Sequence, residues 1–199
     1  LIDMFPGRPG MTAIGENGAI VMRDGVEVSS SPLDAPTVRE AVRLVREATR
    51  GPDGIDGGLV MCGKRSAYVE RSDDRFVDGV MPYYHRTKRV DDQLDVIDAI
   101  ESGDLDDAIV KLAVYALQPV EALAEATLSR FADTHQYAIS GANWADLQVR
   151  GVDKGRAVRD LQCFLGVTRE QTAVFGDAGN DLSMMSEGDL SFAMANASP

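Results

Sequence analysis

The chain has 199 residues, 44% hydrophobic and 26% charged, the composition of a globular protein and not of a disordered one. Lys and Arg total 20 against 32 Asp and Glu, a formal charge of −12, so the surface repels phosphate backbones and anionic lipid. No apolar run is long enough to span a membrane, and the first residues show no basic region, apolar core and cleavage site of a signal peptide. The two cysteines, Cys62 and Cys163, make neither a disulfide framework nor a zinc site, and a reducing cytoplasm is the simplest home. Nucleic-acid and membrane partners are not expected, and nothing specifies an oligomeric state. The apolar opening at Leu1 and the stop directly after a strand-like run give the expectation of a piece of a longer protein.

In chain order, Ala13-Ile14 and 19–22 read as short strands around Glu16-Asn17-Gly18, and Asp24-Gly25 reads as a hairpin turn before Val26-Glu27-Val28. Ser29 to Asp34 reads as a loop. Val38, Ala41, Val42 and Val45 then recur at helical spacing up to Gly51. The glycine-rich stretch 51–58 reads as a loop and 59–62 and 67–69 as strands. The basic and aromatic run Tyr83 to Arg89 has no clear assignment. Leu94, Ile97 and Ile100 predict a helix ended by Gly103, and 109–117 a strand. Pro119 suits the first turn of a helix whose apolar stripe runs from Val120 to Phe131. Strands follow at 137–139 and 147–149.

The last fifty residues are more regular. Lys154 to Leu165 predicts a helix stopped by Gly166, and Thr168 to Gln171 a capped helical turn. A strand at 172–175, a tight loop at 176–181, a helix stopped by Gly188 and a strand at 191–194 read as part of a parallel sheet with crossover helices.

In such a unit the helix beginning at Lys154 and the loop after the strand at 172–175 lie on one edge of the sheet, the edge where open α/β sheets bind ligands. Asp177 and Asp181 are hard oxygen donors suited to Mg²⁺, Asn180 is an uncharged polar group facing the same space, and Lys154 is a compact cation for a phosphate oxygen. Together they describe a phosphoryl-transfer site. The bland reading of 177–181 is a polar turn with Asn180 as a helix cap. The bland reading of Lys154 is a surface lysine, although it opposes the helix dipole at that position.

The run Phe175-Gly176-Asp177-Ala178-Gly179-Asn180-Asp181-Leu182-Ser183-Met184-Met185, followed by Ala193-Met194-Ala195-Asn196-Ala197, resembles the fourth motif region of the haloacid dehalogenase superfamily, in particular its Cof-type sugar-phosphate phosphatases. Gly151 to Gly155 resembles the third motif, and Glu16-Asn17-Gly18-Ala19 the turn leading into the cap. The resemblance implies an α/β fold: a Rossmann-like core formed by 1–28 and 149–199, with an α+β cap at 29–148 that sets substrate specificity. It implies Mg²⁺-dependent hydrolysis of a small phosphorylated metabolite, a sugar phosphate, through an aspartyl-phosphate. It makes Asp177 and Asp181 catalytic and metal residues, Lys154 catalytic and phosphate-holding, and Asn180 and Asn17 phosphate- or substrate-binding. The family's nucleophile, in an Asp-x-Asp-Gly-Thr motif, does not fit in residues 1–16, so it is expected outside this chain and the chain alone is expected to be inactive. Asp104-Leu105-Asp106-Asp107 lacks the Gly-Thr and reads as a solvated linker. The alternative is a non-catalytic regulatory or binding protein of the same fold, or a truncated inactive product. His85 and His135 read as solvated loop residues, Trp144 and Tyr137 as packing residues, and Met184 and Met185 as helix core.

Overall fold

The computed structural model describes residues 8–197, which fall into two compact units. One is drawn from Leu1–Ser31 and Gly151–Pro199, and the other, Pro32–Arg150, is inserted between those segments. The sequence expectation for the inserted segment was 29–148.

The inserted unit is built on one six-stranded sheet. Its strands are β4 (Gly57–Gly63), β5 (Ala67–Val69), β6 (Thr87–Arg89), β7 (Ile109–Ala116), β8 (His135–Gly141) and β9 (Trp144–Val149), numbered after the three strands of the other unit. The order is β6-β5-β4-β7-β9-β8, antiparallel throughout except for the β5–β6 pair. Side chains alternate between faces along each strand. One face carries Leu59, Met61, Leu112, Val114, Ala145 and Leu147, all buried. Onto it pack α1 (Ala35–Thr49), α3 (Gln93–Ser102) and α4 (Glu121–Ala126) through Val38, Val42, Ile97 and Leu123. The helix α1 starts where Asp34 accepts the Thr37 N–H at 2.8 Å, with proline in the first turn. It ends before Gly51.

The other face holds a second apolar cluster, in which α2 (Asp74–Val80) lays Phe76 and Val80 on Val60, Cys62, Ala67 and Val69. The sequence pattern did not reveal α2. The long helix expected from Pro119 to Phe131 is broken: α4 stops at Ala126, Thr127 leaves the helical region, and 128–131 is a 3-10 turn. Asp107 is not the solvated linker residue expected of it. Its carboxylate accepts from the Tyr68 hydroxyl at 2.7 Å and from the Arg65 N–H at 3.2 Å, tying the chain entering β7 to β5.

The other unit contains a three-stranded antiparallel sheet, β1 (Thr12–Gly15), β2 (Ile20–Arg23) and β3 (Val26–Ser30), and a two-stranded parallel sheet, β10 (Ala173–Gly176) and β11 (Leu190–Ala193). The helix α5 (Lys154–Leu165) is capped at its start by Asp153, which accepts from Arg156 N at 2.8 Å, and closed by Gly166 in the left-handed region. It buries Gly155, Ala157, Val158 and Gln162. The short α6 (Leu182–Met185) links β10 to β11, with Met184 and Met185 half-buried. No helix among the described residues is long and apolar enough to cross a membrane.

Candidate active site

Three segments that are distant in sequence meet at the start of α5. The first is the turn between β1 and β2. Glu16 and Asn17 both have positive φ, 47° and 53°, and Gly18 has φ 102°. The Ala19 N–H closes the turn on the Glu16 carbonyl at 3.0 Å. A side chain on Gly18 would be strained at that φ and would overlap the Asp153 carbonyl. Glycine is therefore what lets the Asn17-Gly18 turn press against the first turn of α5.

The second segment is the start of α5. Asp153 caps the helix and Lys154 is its first residue. Gly155 has no room for a side chain because the Ser183 backbone lies against it, and its N–H donates to Ser183 Oγ at 3.1 Å. That contact fixes α5 against α6.

The third segment is the loop after β10. Lys154 Nζ donates to Asp181 Oδ1. Asp181 Oδ2 accepts from the backbone N–H groups of Asp177 at 3.0 Å and Ala178 at 3.3 Å. Asp181 is only 6% exposed. The Lys154 ammonium, helped by those two N–H groups, holds the Asp181 carboxyl below the usual aspartate range, against the opposing effect of burial. With both oxygens engaged, Asp181 is a clasp joining Lys154 to the loop. Of the two carboxylates expected as metal ligands, Asp177 is the one that presents an oxygen to solvent. Asn180 Nδ2 lies 3.4 Å from Asn17 Oδ1, a long and exposed contact that sets the first segment beside the third.

Lys154, Asp181, Asn180 and Asn17 are thus brought together, and Asp177 belongs to the same loop. One residue was not singled out from the sequence. Asn196 Nδ2 lies 3.3 Å from Asp177 Oδ2 and holds one oxygen of that exposed carboxylate. Its signal was its place in the tail Ala193 to Ala197, where β11 ends beside β10.

No group of three His, Cys, Asp or Glu side chains among the described residues is arranged to hold a metal ion. Mg²⁺ does not need one, since it takes one or two carboxylates and fills its shell with water and phosphate oxygens. An exposed carboxylate steadied on one oxygen fits that demand as a single ligand, and Lys154 fits a neighbouring phosphate. The ammonium has three donors, of which Asp181 takes one.

The haloacid dehalogenase-like hydrolase family matches over residues 7–199. The 5-amino-6-(5-phospho-D-ribitylamino)uracil phosphatase YbjI of Escherichia coli is 32% identical over 201 residues, covering 99% of this chain and 68% of that protein. The HMP-PP phosphatase of Yersinia enterocolitica is 28% identical over 141 residues, 67% of this chain and 49% of that protein. Among solved structures, a Eubacterium rectale protein superposes with a TM-score of 0.79 at 21% identity, over 97% of this chain and 69% of its own. A haloacid dehalogenase-like hydrolase from Bacteroides thetaiotaomicron gives 0.73 at 19%, over 95% and 67%. These two likenesses show a shared α/β fold.

Proposed function

Because the chain belongs to the haloacid dehalogenase-like hydrolase family, we propose that it forms part of a Mg²⁺-dependent phosphatase acting on a small phosphorylated metabolite. The observation that carries this reading is the clasp through Asp181, which sets the Lys154 ammonium beside the Asp177 loop. Both curated relatives described above are phosphatases, and the substrate named for one contains a phosphorylated ribityl chain. A phosphate ester with a sugar or sugar-alcohol part is therefore the substrate class we assign.

In this reading Lys154 holds a phosphate oxygen. Asp181 orients that lysine. Asn17 and Asn180 line the phosphate's approach. Asp177, held on one oxygen by Asn196, would hold Mg²⁺, which would supply positive charge against the phosphate. We place the attacking aspartate outside residues 1–199. Asp181 is clasped, Asp177 is committed to the cation, and the run Asp104 to Asp107 is anchored on Arg65 and Tyr68 in the inserted unit. We assign that unit, Pro32–Arg150, as the cap.

The test is Lys154→Ala in the complete protein. If Lys154 meets charge that grows in the transition state, kcat falls on the order of a hundredfold and KM moves less. Lys154→Arg restores little, since a planar fork does not replace a compact ammonium. Wild-type turnover in Lys154→Ala would overturn the assignment of this site, and absence of turnover in the unmutated complete protein would favour a non-catalytic protein of the same fold.

A further inference from the structure

The six-stranded sheet ends differently at its two edges. One edge is β6, three residues long, with Lys88 and Arg89 exposed on it. A short edge strand with basic side chains resists pairing with another chain. The other edge is β8, seven residues long, whose sequence His135-Gln136-Tyr137-Ala138-Ile139-Ser140-Gly141 holds no Asp, Glu, Lys, Arg or Pro. Its ladder to β9 is regular from His135↔Val149 to Ile139↔Ala145 and is broken by a bulge at Ser140. Among the described residues only β9 pairs with it, so the backbone N–H and C=O groups on its outer side have no strand partner.

The side chains favour pairing of this strand with itself. His135, Tyr137 and Ile139 share one face, and Gln136 and Ala138 the other. Tyr137 packs on the helix-covered core, whereas Ile139 on the same face is 48% exposed although its partner on β9, Ala145, is fully buried. The core is thus open to the side at this edge. In an antiparallel pairing of β8 with a second β8, the two-fold axis falls on Tyr137, the middle of the regular stretch, or on Ala138, the middle of the strand. Either axis brings Ile139 opposite or diagonal to Tyr137 of the second copy, a pairing of aromatic with β-branched side chain. Charge singles out a second copy as the occupant. A two-fold contact sets a surface against itself, and at −12 per chain most of the surface would meet its own charge. At β8 two copies meet none on the strand, whereas at β6 they would set Lys88 and Arg89 against each other.

We propose that two copies of this protein join through β8 about a two-fold axis, so that their six-stranded sheets continue into one another. The pairing does not depend on the phosphatase reading above. At about 3.3 Å per residue the joint is about 23 Å long. One strand from each copy falls at the low end of specific interfaces, below about 1,200 Å², so the association is weak and follows concentration, with a dissociation constant of about 10 to 100 µM.

Sedimentation velocity on the complete protein, from about 1 to 300 µM, reads the association directly. Added salt should tighten it, because screening weakens the repulsion between two acidic chains. Ala138→Lys and Ala138→Glu, at an exposed position, set like charges at the joint, and each should weaken self-association about tenfold or more. An equimolar mixture of the two should associate at least as tightly as the unchanged protein, since opposite charges then meet across the axis. Misfolded chains would not give that rescue. Ile139→Thr, which keeps the β-branch, should weaken association severalfold. Lys88→Ala, on the opposite edge, should change nothing. Monomers at every concentration overturn the proposal and leave β8 to a strand of another protein. A dimer that both charge variants leave intact overturns it as well, because the contact then lies elsewhere. If each charge variant is monomeric and their mixture is too, β8 does not face itself and the two-fold pairing is wrong.

Discussion

The two units differ in how completely they cover their own apolar surface. Among the described residues, the inserted unit leaves three large hydrophobic side chains exposed: Met81, Tyr83 and Ile139. The other unit is smaller and leaves eight, among them Phe175, Leu182, Leu190 and Phe192. Phe175 and Phe192 are register partners on β10 and β11, stacked at 4.9 Å with 17° between their planes. They share one face of that sheet, while Val174, buried, lies on the other. Each large apolar side chain left in water forgoes about 1.5–3 kcal/mol of burial. The inserted unit thus satisfies its own burial requirement, whereas the unit that carries the candidate site does not do so within residues 8–197.

The broadest test of that contrast is to separate the units. Pro32–Arg150 expressed alone should unfold in urea as one cooperative transition followed by Trp144 fluorescence. Residues 1–199 should unfold in two stages, with the inserted unit melting last and the remainder prone to aggregate. A single concerted transition of residues 1–199 would break the comparison. A narrower version uses the same kind of truncation on each side. Leu123→Ala, at a fully buried position packed under the sheet, should cost the inserted unit about 2–5 kcal/mol. Phe192→Ala in residues 1–199, at a position 44% exposed, should cost less than about 1 kcal/mol and raise solubility. Equal losses would mean that Phe192 is covered in solution.

The contrast also explains what was legible in the sequence. The helix α5 was readable from Lys154 to Leu165 because Gly166 closes it in the left-handed region. Short apolar runs outlined β4, β7, β10 and β11, but Gly57 and Gly58, expected in a loop, belong to β4. The meeting of Lys154 with the 177–181 loop was legible because parallel β-α-β topology places helix starts and strand ends on one edge. The clasp itself was not, since nothing in the spacing shows that Asp181 turns back on the Asp177 and Ala178 N–H groups. The helix α2 was missed because it spans seven residues, contains Gly79 and buries only Phe76 and Val80, too little for a period to show. At Thr127 the backbone leaves the helical region, and its hydroxyl donates to the Leu123 carbonyl at 2.5 Å in a fully buried position, a local bond that the apolar spacing does not show. Asp107 looked solvated because its partner, Tyr68, lies 39 residues away.

Acid should sharpen the comparison, because two of the inserted unit's helices begin on aspartates held by arginines. Asp73 caps α2, and the Arg71 guanidinium, with the Phe76 N–H, lowers its pKa. Asp92 caps α3 and is lowered by Arg46 and the Leu94 N–H. A carboxylate with a depressed folded-state pKa contributes stability that is complete above its unfolded value and lost as pH falls through the folded value. Urea midpoints of Pro32–Arg150 should therefore be flat from pH 7 to 5 and decline below about pH 4, the ordinary aspartate range. Asp73→Ala should cost about 0.5–2 kcal/mol at pH 7 and less at pH 3. A loss that does not shrink on acidification would assign the effect to packing of α2 instead of its cap.

The smallest expected effect lies in the other unit, at Asn196. Its amide is the partner that steadies the exposed Asp177 carboxylate, at 3.3 Å, and both residues are solvent-exposed. A single hydrogen bond of that length and exposure contributes at most about 0.5–1.5 kcal/mol. Asn196→Ala should leave the melting temperature within a degree, because no buried group loses a partner. If Asp177 is the cation's ligand, freeing its carboxylate makes the bound orientation less populated before the cation arrives. The Mg²⁺ concentration for half-maximal activity, and the dissociation constant for Mn²⁺ measured by electron paramagnetic resonance without substrate, should then rise together by about two- to tenfold. Saturating Mg²⁺ should restore kcat, in contrast to Lys154→Ala, which no cation concentration rescues. A fall in kcat that persists at saturating Mg²⁺, with unchanged Mn²⁺ binding, would instead place Asn196 against the phosphate and leave Asp177 without its assigned role.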